Sequence, residues 1–313
     1  VSKDINIKQN GAVDKTATMV DGYTFNSSLK EIYGEKVYKL TLNGGMSCPN
    51  RDGKISFGGC IFCSEGGSGE FASAACLSIP DQIQDAKKRL AGKRPVNQYI
   101  AYFQAYTNTY DELQTLIAKY EEALAVSDVV GLVIGTRPDC MPDNLLDYLE
   151  ELNRRTFLIV EYGVESANDE TLLRINRGHT FRQSCEAIRR TAERGIRVGA
   201  HVILGFPWEP FDELMRQAEE IGRLPLTTLK LHQLQIIRGT QLAREYAEHP
   251  WAVPTAEEYI DLVLHYISRL PYGLVMERFV SQSPPEMVIA PQWGLKNHEF
   301  ANLLRNRMVK FGQ

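Results

Sequence analysis

No stretch of this chain approaches the length of apolar residues that spans a bilayer. The polar opening, VSKDINIKQNGAVDKTATMVDG, carries none of the apolar core an export signal needs. Membrane residence and secretion are not expected, and the chain reads as cytoplasmic. A surplus of charge is missing too. Lys and Arg number 35 against 39 Asp and Glu, a formal net charge of −4. No general field therefore draws polyanions, and a nucleic-acid partner would have to be held by local patches. There is also no internal repeat, low-complexity tract or long linker. What is left is a 313-residue chain, 43% hydrophobic and 24% charged, with room for one large α/β domain or two ordinary ones.

Six cysteines are present. In a reducing compartment their uses are metal binding, catalysis or plain burial, not disulfides. Cys76, Cys140 and Cys185 stand alone in ordinary surroundings and are expected to be buried as small apolar residues. The other three share the glycine-rich stretch SCPNRDGKISFGGCIFCSEGGSG, residues 47–69, as Cys48, Cys60 and Cys63, with Phe62 between the last two. A structural zinc site would ask for a fourth ligand, and no Cys or His lies at a finger-like distance; His179 is far downstream. Three thiolates do suit a cubane iron–sulfur cluster with one iron left open for a substrate or cofactor. The glycines imply that backbone must come close to something there.

From about residue 36, β-branched or aromatic runs alternate with helical patterns of ten to fifteen residues, the mark of βα units and a parallel sheet. Strands are expected at 35–43, 98–104, 129–136, 156–164, 196–205 and 228–237. Helices are expected in IPDQIQDAKKRL, YDELQTLIAKYEEALA, MPDNLLDYLEELNRR, TFRQSCEAIRRTAERG and EPFDELMRQAEEIGRL. Six units favour a barrel or partial barrel over an open doubly wound sheet, and in both the chemistry gathers at the C-terminal strand ends. The expected layout is a polar arm over 1–22, a partial (βα)6 TIM-type barrel over 23–250, and a C-terminal α/β extension over 251–313.

Cys48, Cys60 and Cys63 with Phe62 resemble the cluster loop of radical S-adenosylmethionine (SAM) enzymes, in the long-spacer version of Elongator's catalytic subunit and its bacterial relatives. GEKVYKL, CPNRDG, GTRPD, GVES, NRGHT and IRGT are similar to the bacterial family that lacks Elongator's acetyltransferase domain, and they run from about residue 28 to the tail. The resemblance implies a [4Fe–4S] cluster on those three cysteines. Its open iron would chelate SAM, and reductive cleavage would yield a 5′-deoxyadenosyl radical. It also implies an electron donor such as flavodoxin or ferredoxin.

On that resemblance Phe62 would lie against the adenine, Glu165 would accept from the ribose diol, and Arg177, twelve residues later, would fork onto the SAM carboxylate. Where many relatives read Gly-Gly-Glu this chain reads FQAYTNTY. Gln104 is then the candidate for the SAM amino group, and Tyr106 faces SAM or substrate. Thr136 and His201 end strands that face the same cavity; a satisfied core histidine is the alternative for His201. His232, Gln235 and Arg238 are polar in an otherwise apolar strand, for which a buried parallel strand has little use, and are assigned to the substrate side. Arg238 could instead brace its loop.

Relatives of the family act on the C5 side chain of the wobble uridine, so the resemblance implies a tRNA-modifying enzyme that trims carboxymethylaminomethyluridine to aminomethyluridine. A radical enzyme acting on a small metabolite or peptide is the alternative. Two basic clusters would serve tRNA: Lys87, Lys88, Arg89, Lys93 and Arg94, and the tail with Arg305, Arg307 and Lys310. Tyr99, Tyr102, Tyr106 and Tyr110 offer aromatic surface for an unstacked base.

Overall fold

The computed structural model describes residues 25–90 and 96–311; the expected polar arm, Lys93 and Arg94, and the side chain of Lys310 lie outside what it describes. Seven strands form one sheet: β1 (Val37–Leu42), β2 (Gln98–Phe103), β3 (Val129–Thr136), β4 (Phe157–Glu165), β5 (Arg197–Leu204), β6 (Thr228–Gln233) and β8 (Val275–Arg278). Every neighbouring pair is parallel. The sheet curls into a partial barrel, as the six expected βα units require. The C-terminal region supplies the seventh strand.

Amphipathic helices cover the outside: α2 (Ile79–Leu90), α3 (Leu113–Leu124), α4 (Asp143–Arg155), α6 (Phe181–Glu193), α7 (Phe211–Gly222) and α9 (Ala256–Ser268). In α4, Leu145, Leu146, Leu149 and Leu152 are buried, the i, i+1, i+4, i+7 face that packs on the sheet. Capping boxes start α6, at Thr180 with Gln183, and α9, at Thr255 with Glu258.

The segment 228–237, expected as one strand, is two. β6 ends at Gln233, and after Leu234 and Gln235 the chain turns into β7 (Ile236–Ile237), which pairs antiparallel with β9 (Val288–Ala290) in a separate two-stranded sheet. The polar pair-breaker is Gln233, whose side chain clamps both the N–H and the C=O of Ser281.

Edge strands β1 and β8 come round to face each other without sharing a ladder. Helix α1 (Phe25–Tyr33) straddles that seam. Its Phe25 and Leu29 join Val37, Ile100, Val133 and Val275 in an apolar plug at the closed end of the barrel.

Directly above the plug lies a charged layer. Glu161 of β4, 1% exposed, accepts from Lys230 Nζ at 2.5 Å, Lys39 Nζ at 2.9 Å and His201 Nε2 at 3.0 Å. Glu277 takes the remaining contacts of the two lysines, at 2.6 Å from Lys39 and 3.1 Å from Lys230. Gly199 of β5 makes the room, since a Cβ there would stand 3.0 Å from Glu161 Cγ and 2.6 Å from Thr228 Oγ1. Burial alone would raise the Glu161 carboxyl, but Lys230, Lys39 and His201 outweigh it and hold the group well below the usual carboxylate range.

Removing one member of such a layer leaves the others desolvated and uncompensated. Glu161→Gln is expected to lower unfolding free energy by about 3–5 kcal/mol in urea titrations. A loss under about 1 kcal/mol would mean that water already screens the layer.

Candidate active site

The cluster loop leaves β1 and folds over the open end of the barrel by its own backbone bonds. Arg51 and Asp52 N–H donate to Cys48 O, Gly59 N–H to Asn50 O, and Cys63 N–H to Cys60 O. Among the contacts that tie it to the barrel, Ile61 N–H donates to Ile175 O at 3.0 Å, and Asn176 Nδ2 to Gly59 O at 2.8 Å. Asn50 is fully buried beneath it, with Nδ2 3.7 Å from Cys60 Sγ.

What the loop's backbone approaches is Tyr106. A Cβ on Gly67 would stand 2.4 Å from the Tyr106 ring, at a φ of +59° that already favours glycine. The Tyr106 hydroxyl donates to Glu65 O, and the Arg51 guanidinium lies 5.5 Å from its ring centroid. Tyr106 therefore braces the loop while it also lines the cavity. Gln104 is engaged in the same way, its Nε2 donating to Ser68 O at 2.7 Å, which leaves Oε1 as an acceptor.

Cys48, Cys60 and Cys63 all line one cavity of about 410 Å³ that runs from the loop down to the charged layer. Two guanidiniums approach the thiols: Arg51 Nη2 donates to Cys63 Sγ at 3.1 Å, and Arg177 Nη1 to Cys60 Sγ at 3.5 Å. Burial and the neighbouring Cys60 push the Cys63 thiol up to about 11, against Arg51. Among the described residues, no three His, Cys, Asp or Glu side chains converge tightly enough to grip a single metal ion. A cubane cluster spreads its thiolates over separate irons and asks for a wider triangle. Arg177, whose buried Nε has no hydrogen-bond partner among the described residues, lines this cavity beside the thiols.

Phe62, Gln104, Tyr106, Thr136, Glu165, Arg177, His201, His232 and Gln235 reach the same cavity. Glu165 sits at φ +69°, beyond a bulge between β4 and β5. Thr136 shares a 2.5 Å hydrogen bond with Thr109. Gln235 accepts from Ser283 Oγ at 2.8 Å, and His232 Nδ1 is bonded to Ser281 Oγ. Burial, with the charges of His201, Arg278 and Lys230, holds the His232 ring well below the usual imidazole range. It is neutral at physiological pH.

Three expectations differ from what is found. Arg177 has no free fork for a carboxylate: Nη2 donates to Gly163 O at 2.6 Å and lies 3.6 Å from Glu165, while Nη1 meets Cys60. Arg238 does not line the cavity; its Nε donates to Glu286 O at 3.4 Å and it braces that turn, the alternative left open for it in the sequence. Cys76, expected to be buried, is exposed on the loop before α2, whereas Cys140 and Cys185 are half-buried.

Three described members of the basic clusters are ion-paired within the chain, while Lys88 is exposed. Lys87 pairs with Asp128 at 2.5 Å, Arg89 with Asp85 at 3.5 Å, and Arg307 forks onto Asp261 at 2.8 and 2.9 Å. Tyr102 is buried against Lys230, and Tyr99 donates to Val96 O, so neither is a stacking surface. Residues the sequence reading missed are Arg51, Lys39, Glu161, Lys230 and Arg278. The signal was there for Glu161 and Lys230, which are charges inside strands buried on both faces.

The chain belongs to the radical SAM superfamily, whose family model matches residues 48–220, with a radical SAM C-terminal domain over residues 226–310. Like the superfamily's other members it is an enzyme, and its cofactors are a [4Fe–4S] cluster and SAM. It is 38% identical over 290 residues to YtqA of Bacillus subtilis, covering 93% of this chain and 90% of that one. It is 27% identical over 186 residues to Elongator complex protein 3 of Schizosaccharomyces pombe, covering 58% of this chain and 33% of that protein. Its fold matches the archaeal Elp3 of Methanocaldococcus infernus with a TM-score of 0.67 at 18% identity, covering 88% of this chain and 63% of that one. Among the described residues no helix is long and apolar enough to cross a membrane.

Because the Gly67–Tyr106 contact sets the height of the loop, Gly67→Ala is expected to destabilise the protein, and Tyr106→Ala in the same chain to recover part of the loss. A double-mutant cycle in urea reads this as a coupling of about 0.5–3 kcal/mol. Strict additivity would show that the two do not touch in solution.

Proposed function

We propose that this enzyme trims the C5 side chain of the tRNA wobble uridine, converting carboxymethylaminomethyluridine to aminomethyluridine. The observation that carries the reading is the kinship with Elongator complex protein 3 over 58% of this chain. When bound, the cluster and SAM supply a 5′-deoxyadenosyl radical able to take a hydrogen atom from an unactivated carbon. Loss of a hydrogen atom from the methylene between amine and carboxylate, then of one electron to an acceptor of the flavodoxin or ferredoxin class and of the amine proton, would give an imine, whose hydrolysis would release glyoxylate and leave the aminomethyl group.

In this reading Cys48, Cys60 and Cys63 hold the cluster, and Arg51 and Arg177 steady the thiolates, so that Arg177 positions the loop. Phe62 packs on the adenine, Glu165 accepts from the ribose, Gln104 Oε1 accepts from the SAM amino group, and Thr136 closes that wall. On the substrate side, His201 and His232, with ring centroids 5.2 Å apart, are the imidazoles available for the departing proton. Gln235 completes the polar wall. The apolar plug and charged layer keep water from entering through the closed end. The enzyme works in the cytoplasm with a flavodoxin- or ferredoxin-like donor.

One observation favours the second reading, a radical enzyme on a small metabolite or peptide: Lys87, Arg89 and Arg307 are engaged within the chain and offer phosphates little. Wobble nucleosides from cells lacking the protein separate the two. Accumulation of carboxymethylaminomethyluridine supports the tRNA reading, and an unaltered nucleoside profile supports the small-molecule one.

Serine at Cys48, Cys60 or Cys63 is expected to abolish stable iron retention after anaerobic reconstitution, whereas serine at Cys76, Cys140 or Cys185 leaves about four irons per chain. Loss of iron in any of the second set would overturn the ligand assignment.

A further inference from the structure

The last strand of the barrel contains an irregularity with chemical consequences. Leu229 of β6 is level with Met276 of β8, but the next residue, Lys230, is level with Arg278, so Glu277 is an extra residue in the strand. In a regular strand successive side chains point to opposite faces. Here the bulge sends two consecutive residues inward. Glu277 reaches Lys39 and Lys230 in the charged layer, and Arg278 lines the cavity beside His232 and Ser281.

The charges around Arg278 leave it uncompensated. Lys39 and Lys230 are matched by Glu161 and Glu277, and His232 is neutral. The other guanidiniums on the cavity wall are engaged: Arg137 forks onto Asp139 at 2.9 and 2.8 Å, Arg177 donates to Gly163 O, and Arg51 to Cys63. Arg278 has no hydrogen-bond or ion-pair partner among the described residues. A half-buried guanidinium aimed into a polar chamber, with no acid to meet it, is built to receive an anion from outside the chain.

We propose that Arg278 binds the carboxylate of the substrate's side chain, fixing the methylene beside it in the chamber. The inference rests on the tRNA reading above, in which substrate carries that carboxylate and product does not. A carboxylate is favoured over a backbone phosphate by depth: Arg278 is level with Lys230 in the barrel wall, where a side chain can reach and a polymer backbone cannot.

The test compares tRNA carrying carboxymethylaminomethyluridine with the same tRNA carrying aminomethyluridine, binding each to cluster-loaded protein with SAM and no reductant. The wild-type protein is expected to prefer the carboxylate-bearing tRNA by about 10- to 100-fold. Arg278→Gln should bind the two alike, holding the aminomethyl form within about twofold of wild type, and Arg278→Lys should keep part of the preference. Equal weakening of both tRNAs by Arg278→Gln would make the residue a phosphate contact and overturn the proposal, as would a preference that survives the substitution or is absent from the wild type. Reduction then separates the two levels. A wild type that trims the side chain while Arg278→Gln keeps the preference sinks the Arg278 assignment alone; one that cannot trim it sinks the tRNA reading beneath.

Discussion

The carboxylate of Glu161 is the point from which the interior of this barrel is organised. Three side chains from three other strands, Lys39, Lys230 and His201, each come within hydrogen-bond distance of the Glu161 carboxylate. Such an arrangement is tolerable only because every charge has a partner. It divides the barrel into an apolar closed end, where Phe25 and its neighbours pack, and a polar chamber above. It also fixes His201, whose Nε2 is held on Glu161, so that this imidazole takes its placement from a group below it.

At the other end of the chamber, positive charge meets sulfur. Arg51 and Arg177 come from positions 126 residues apart in sequence and converge on Cys63 and Cys60. One belongs to the cluster loop, the other to the turn after β4, so the contacts also staple the loop to the barrel. One of the loop's glycines, Gly67, answers to a neighbouring ring: the chain passes so close over Tyr106 there that a methyl group would not fit.

Much of this was legible beforehand, for physical reasons. A parallel strand buried on both faces reads as a continuous apolar run, and β3 and α2 begin and end where their patterns do. The three cysteines stood out through spacing and glycine. What escaped was set by three-dimensional partners. Gln233 ends β6 by bonding Ser281, a residue 48 positions away, and nothing local to TLKLHQLQII announces it. Arg177 meets Cys60 and Gly163, contacts that its place twelve residues after Glu165 does not announce. Arg278 lay beyond any alternation rule, since its direction comes from a bulge and not from period two.

The seam between β1 and β8 gives the barrel a grain. Backbone groups on the facing edges of these two strands lack the ladder that every other strand boundary has, and what holds them is helix α1 and the Lys39–Glu277 pair. Breathing of the barrel starts along this line, because fewer hydrogen bonds must break there. The first groups wetted are then Lys39 and Glu277, while Glu161 stays shielded by the strands on either side. The line with the fewest hydrogen bonds thus runs past α1 and along β1, the strand from which the cluster loop departs.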